Sequence, residues 1–293
     1  MNQREYEYGG GIIVWTAKDS DYDLVLNAVE RLGDQFKECR PSKPTNVTAL
    51  KKALQDVITP DTRGHNILIR PLKGMDGRGF VVAQEDPKIK GEMRFRQRHV
   101  AIWYNDEHYE IEPVLSSTDQ LRLSQEYVRN QKELSSTSVG VCLADVARVM
   151  GAIPLREAGG VYWLPDDKLD AWQEFAKDVE RAGENRVYVL KVKATPEMVR
   201  CVGDFLCVMA ETQISEMMTA LEKEEVAASV VTTRRKRLDV LTSQIKDFEQ
   251  AFSRSLTEID AKLGDAAAAL LTYDIVEGAL LEQEYEAKGQ TSS

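Results

Sequence analysis

Asp19, Asp21, Asp23 and Glu30 fall at the first, third, fifth and twelfth positions of a calcium-binding loop, where oxygen ligands converge on one ion. The sixth position is Leu24, and the turn that folds such a loop back on its metal requires glycine there. These acids read instead as the cap and the negative first turn of a helix. The histidines are His65, His99 and His108, and none lies near a Gly-x-Ser-x-Gly motif or a positioned cysteine. His99 and His108 could face each other across a hairpin, but two imidazoles without further ligands do not make a zinc site. Cys39, Cys142, Cys201 and Cys207 have no CxxC spacing, sit among apolar residues and read as buried free thiols of a reducing compartment. Gly9 to Gly11 lack the Gly-Lys-Ser/Thr of a phosphate loop, and Gly74, Gly77 and Gly79 lie between strands, with no helix start to receive a phosphate. No metal or cofactor is expected. Catalysis is left to carboxylates that the fold would have to assemble from distant positions.

Binding is the better-supported chemistry. Arg94, Arg96 and Arg98 alternate with Met93, Phe95 and Gln97, so an unbroken strand puts three guanidinium groups on one face. Such a face suits phosphates or an acidic partner. Glu110 and Glu112 on the returning strand, beside Ile102 and Val100, would be diagonal counter-charges. Further on, an apolar helix over Val141–Met150 is followed by a hairpin with Gly159 and Gly160 in its turn, the order of a recognition helix and wing. That helix carries one basic residue, Arg148, and presents Asp145, so it is poorly equipped to read base edges.

The elements that hold these residues follow from periodicity and punctuation. Gly11–Thr16 reads as a buried strand and Asp19–Asp23 as a helix start. Val47–Ile58 reads as an amphipathic helix. Ile67–Leu72, Phe80–Ala83, Met93–Tyr104 and His108–Val114 read as two hairpins of an antiparallel meander. The expected fold is α+β in three parts: a sheet domain over 1–115, a linker helix with a small winged-helix-like α+β module over 116–195, and a long helical region over 196–293. In the middle part Leu134-Ser-Ser-Thr-Ser138 has linker chemistry.

The last part is the most distinctive. Residues 204–263 contain neither glycine nor proline, the two residues that cost a helix interior most. Leu238, Leu241, Ile245, Phe248 and Phe252 step by three and four, an apolar seam for either an intermolecular coiled coil or a helical hairpin bent at 224–236. Residues 196–293 carry 10 basic and 18 acidic side chains, most of the chain's net charge of −10, which disfavours non-specific nucleic-acid binding by the tail. No secretory signal or apolar transmembrane run is visible, so a cytoplasmic protein is expected. The functional expectation is a non-catalytic scaffold or adaptor that binds a protein partner, or itself, through the tail seam. The alternative is nucleic-acid binding through Arg94, Arg96, Arg98 and the hairpin module.

Overall fold

A computed structural model describes residues 8–58, 67–72, 79–86, 94–104, 108–112, 114–156, 159–221, 228–253, 256, 259 and 261–269. The chain opens with β1 (Tyr8–Thr16), the short β2 (Ser20–Asp21) and α1 (Tyr22–Arg31). Asp21 caps α1 by accepting the Leu24 N–H at 2.9 Å, which confirms the helix-start reading of the acidic run. A second unit follows: α2 (Asn46–Val57), the strands β3 (Ile67–Pro71), β4 (Gly79–Asp86), β5 (Arg94–Tyr104) and β6 (His108–Glu112), then α3 (Ser117–Asn130). After β7 (Glu133–Leu134) come α4 (Ser136–Val149), β8 (Ile153–Pro154), β9 (Val161–Leu164), α5 (Leu169–Ala182) and β10 (Arg186–Lys193). Two long helices, α6 (Pro196–Leu221) and α7 (Ala228–Phe252), complete the labelled elements, and residues 261–269 are helical.

The fold is α+β, with two antiparallel four-stranded sheets ordered β10-β1-β9-β8 and β3-β4-β5-β6. The second is the expected meander. The first was not legible. β1 leaves the meander and pairs with β10 (Ile13 opposite Val189) and with β9 (Ile12 opposite Trp163), so this sheet spans the boundary expected near residue 115. Apolar residues on both faces of β1 explain its central place. Ile13 joins Val25, Leu143, Val146, Trp172 and Phe175 in the core beneath α1, α4 and α5. On the other face Trp163 joins Ile153 in a core built with α6 and α7. Gly10, at φ +121°, makes this possible: a Cβ there would collide with the Leu164 carbonyl and the Trp163 ring. The meander has its own core, where Phe80 and Val82 meet Leu50, Leu54, Leu123 and Tyr127 from α2 and α3.

One local expectation changes. The serines after Leu134 form no linker, because Ser135 caps α4 through the Ser138 N–H at 3.2 Å. In the tail α7 begins at Ala228, inside the interval 224–236 expected to carry the bend, so the basic run 234–237 lies within the helix. Arg234 meets Glu216 at 3.6 Å, and Phe248 packs against Gly203, so α6 and α7 run antiparallel. Leu241, Ile245 and Phe248 are buried and Leu238 and Phe252 partly so, against Val202, Leu206 and Ala210 of α6 and against Ile153 and Trp163. Of the two tail alternatives, the chain adopts the folded-back hairpin, and its seam is filled from within.

Candidate functional site

Arg94, Arg96 and Arg98 lie on β5, but their side chains fall outside the described residues. The backbone register is informative all the same. Val82 pairs with His99 and Ala83 with Gln97, an irregularity that places one extra residue, Arg98, between them and interrupts the alternation along 94–102. Glu112 and Glu110 pair with Val100 and Ile102 as expected. The two histidines do not face each other. His108 pairs with Tyr104 beside the turn, because the connection over 105–107 is short, and His99 pairs with Val82. His65 and residues 73–78 and 105–107 lie outside the described residues. Among the described residues no cluster of histidine, cysteine, aspartate or glutamate could hold a metal ion. None of the described helices is long and apolar enough to cross a membrane.

Of the four outer strands of the two four-stranded sheets described, two are poorly suited to receive a further strand. β8 is two residues long, and β3 ends at Pro71, which has no N–H to offer a neighbour. The remaining edges, β6 of five residues and β10 of eight, are opposite in charge. On β6, Glu110 and Glu112 are exposed, and among the described residues neither forms an ion pair. On β10, Arg186, Lys191 and Lys193 are exposed, again without an ion pair among the described residues. The Val187 N–H donates to Glu180 Oε1 at 2.9 Å, away from β1. In an antiparallel ladder alternate residues bond outward, so Val189, Lys191 and Lys193 belong to the same outward-facing set.

Beside β6 an apolar wall is also open. A groove of about 800 Å³ runs between β6 and α3, lined by Tyr109 and Ile111 on one side and Leu123, Tyr127 and Val128 on the other. Tyr109 and Tyr127 meet edge-on with centroids 5.4 Å apart. Burial in this wall holds the Tyr109 phenol above its ordinary pKa, against a hydrogen bond with Ser124. Val128 is 51% exposed, a large apolar side chain left uncovered at the groove.

The meander unit is tied to the rest of the chain by charge. Lys52 of α2 donates to Asp19 at 2.6 Å and to Glu133 at 2.9 Å, and Asp19 also accepts the Ser136 N–H at 2.8 Å in the first turn of α4. Burial pushes the Asp19 carboxyl up, but the hydrogen bonds from Lys52 and Ser136 and the Lys52 charge outweigh it, so its pKa lies below the ordinary value. Lys52 responds in the opposite sense: burial lowers it, and its two carboxylate partners leave it raised.

Residues 12–283 match a family model, a span that begins in β1 and runs past α7, taking in both sheets and the helical hairpin. The chain belongs to DUF6744, a family of unknown function. No curated protein and no solved structure matches it. Sequence reading missed the β10 edge and the β6–α3 groove. Arg186 to Val192 reads as a closing strand, and only Arg186 and Lys191 hint that one side stays in solvent.

Proposed function

We propose that the protein is a non-catalytic assembly protein whose copies join edge to edge, β6 of one to β10 of the next. The observation that carries this reading is the pair of open strand edges of opposite charge. β6 against β6 would set carboxylates against carboxylates, and β10 against β10 would oppose the lysines of two copies; like charges across a strand pair repel. β6 against β10 matches them. Alternation supports the same pairing, because Glu110 and Glu112 alternate with Tyr109 and Ile111 as Lys191 and Lys193 alternate with Leu190 and Val192. When the strands are joined, the charged groups share one face, and Leu190, 58% exposed in the single copy, meets the groove side on the other. Two different edges make a head-to-tail contact, which closes into a ring or continues as a filament, a scaffold in either case. This route to oligomerisation replaces the tail seam, which is filled internally and so is not free to form a coiled coil between copies. Four free cysteines, two of them buried, suit a cytoplasmic setting. Nucleic-acid binding through Arg94, Arg96 and Arg98 is less favoured at a net charge of −10.

The test is light scattering over a range of concentrations. Wild type exceeds the 33.0 kDa of a single chain. The variant E110K/E112K and the variant K191E/K193E each fall to that mass. Mixing the two variants, or combining all four substitutions, restores association. A wild type that stays at single-chain mass at every concentration overturns the proposal, as does association indifferent to either reversal.

A further inference from the structure

Helix α6 carries more apolar surface than its core contacts use. Val202, Leu206 and Ala210 fill the core shared with α7. Phe205, Val208 and Met209 form a second stripe at spacings of three and four, and Val208 is 62% exposed. This stripe is one wall of a cleft of about 720 Å³, within the roughly 300–1,000 Å³ of small-molecule sites. The opposite wall comes from the end of α4 and the β8–β9 hairpin and brings Arg148 and Arg156. Arg156 is exposed and, among the described residues, has no carboxylate partner, whereas Arg148 is engaged by Asp145 one turn earlier in α4. The Arg156 guanidinium rests over Gly159, at φ +100°, where a Cβ would collide with it. A glycine in the hairpin turn thus leaves room for the cation at the mouth of an apolar cleft.

We infer that this cleft binds a small organic anion with an apolar body, its single charged head on Arg156 and Arg148 and its body along Phe205, Val208 and Met209. Guanidinium groups pair with carboxylate or phosphate in a planar fork, and the hydrophobic stripe supplies the remaining affinity. Asp204 lines the same cleft, so a second negative group on the ligand would meet a like charge, which excludes polyanions such as a nucleic-acid strand. The inference does not depend on the edge-to-edge pairing. The ligand would bridge walls from different parts of the fold.

The probe is anilinonaphthalene sulfonate, an amphipathic anion whose fluorescence rises in apolar surroundings, titrated against the full chain. Saturable binding at one site is expected. R156E weakens it roughly tenfold or more, as loss of a charge-assisted hydrogen bond does, and V208D weakens it comparably. R31E, which alters an exposed arginine paired with Asp178 elsewhere, leaves it unchanged. Displacement of the dye by decanoate but not phenyl phosphate assigns a carboxylate head, and the reverse assigns a phosphate. Non-saturable binding, binding unchanged in both R156E and V208D, or failure of both competitors overturns the inference. Circular dichroism of each variant guards against loss of fold.

Discussion

Ile245→Asp separates a seam filled from within from one offered to another copy. Ile245 is 1% exposed, within the core that α6 and α7 share with Ile153 and Trp163. Removing its side chain, as in Ile245→Ala, costs about 2–5 kcal/mol through lost transfer energy and the cavity left behind. Aspartate adds a carboxyl that must be neutral to stay in that core. Holding a group of ordinary pKa near 3.9 protonated at pH 7 costs about 4 kcal/mol more. The sum, roughly 6–9 kcal/mol, is comparable with the whole stability of a typical domain at about 5–15 kcal/mol. Ile245→Ala should therefore stay folded with a melting temperature lower by about 3–8 °C, at about 2.1 cal/mol/K of unfolding entropy per residue, while Ile245→Asp should release the helical hairpin from the sheet. Thermal and urea unfolding followed by circular dichroism measure the first effect. Loss of helical signal together with a rise in Trp163 solvent exposure reports the second. An Ile245→Asp variant that keeps wild-type stability and merely drops in mass would refute the reasoning, because the side chain would then have been covered by a partner.

Two further outcomes follow from the charge and burial already described. Asp19→Asn should cost about 1 kcal/mol near neutral pH, a modest figure because Asp19 and Lys52 are partly exposed and screened. Since the folded pKa of Asp19 is depressed, its contribution is complete above the ordinary aspartate value and is lost as pH falls through the folded one. The gap between wild type and variant, measured by urea titration, should close in acid, and a gap that persists there contradicts the assignment. For the thiols, burial pushes Cys39 up to about 11 and Cys142 up to about 12, whereas Cys201 is exposed. Alkylation of the native protein followed by mass mapping should label Cys201 first and reach Cys39 and Cys142 only on unfolding.

What could be read in the sequence was local. Asp21 before α1, the apolar stripe of α2 and the alternation through β5 and β6 announced their elements, because caps and periodic patterns are written within a few residues. The apolar steps from Leu238 to Phe252 marked a buried face, but the same spacing serves a coiled coil and a hairpin. What decides between them is Trp163 and Ile153, some eighty residues earlier in the chain. The partners of β1 lay equally out of reach, since nothing near Ile12 or Ile13 names Trp163 or Val189. The candidate site was hidden for a related reason. An open edge is defined by the strand that fails to arrive beside it, and only the assembled sheet reveals that.

The chain leaves the first sheet for the meander and returns to it at a single point. Gln131 Nε2 donates to Asn46 Oδ1 at 3.0 Å, the Tyr22 N–H reaches the Lys132 carbonyl at 2.8 Å, and Lys52 grips both Asp19 and Glu133 just beside them. Entrance and exit lie one hydrogen bond apart, so from the standpoint of β1, β9 and β10 the entire meander occupies the place of a tight turn. A short loop could take over that place without moving any strand of the first sheet, and the meander, with its own core under α2 and α3, could be exchanged as a cassette. The acidic edge and the basic edge would then be inherited, lost or replaced separately, each with the unit that carries it.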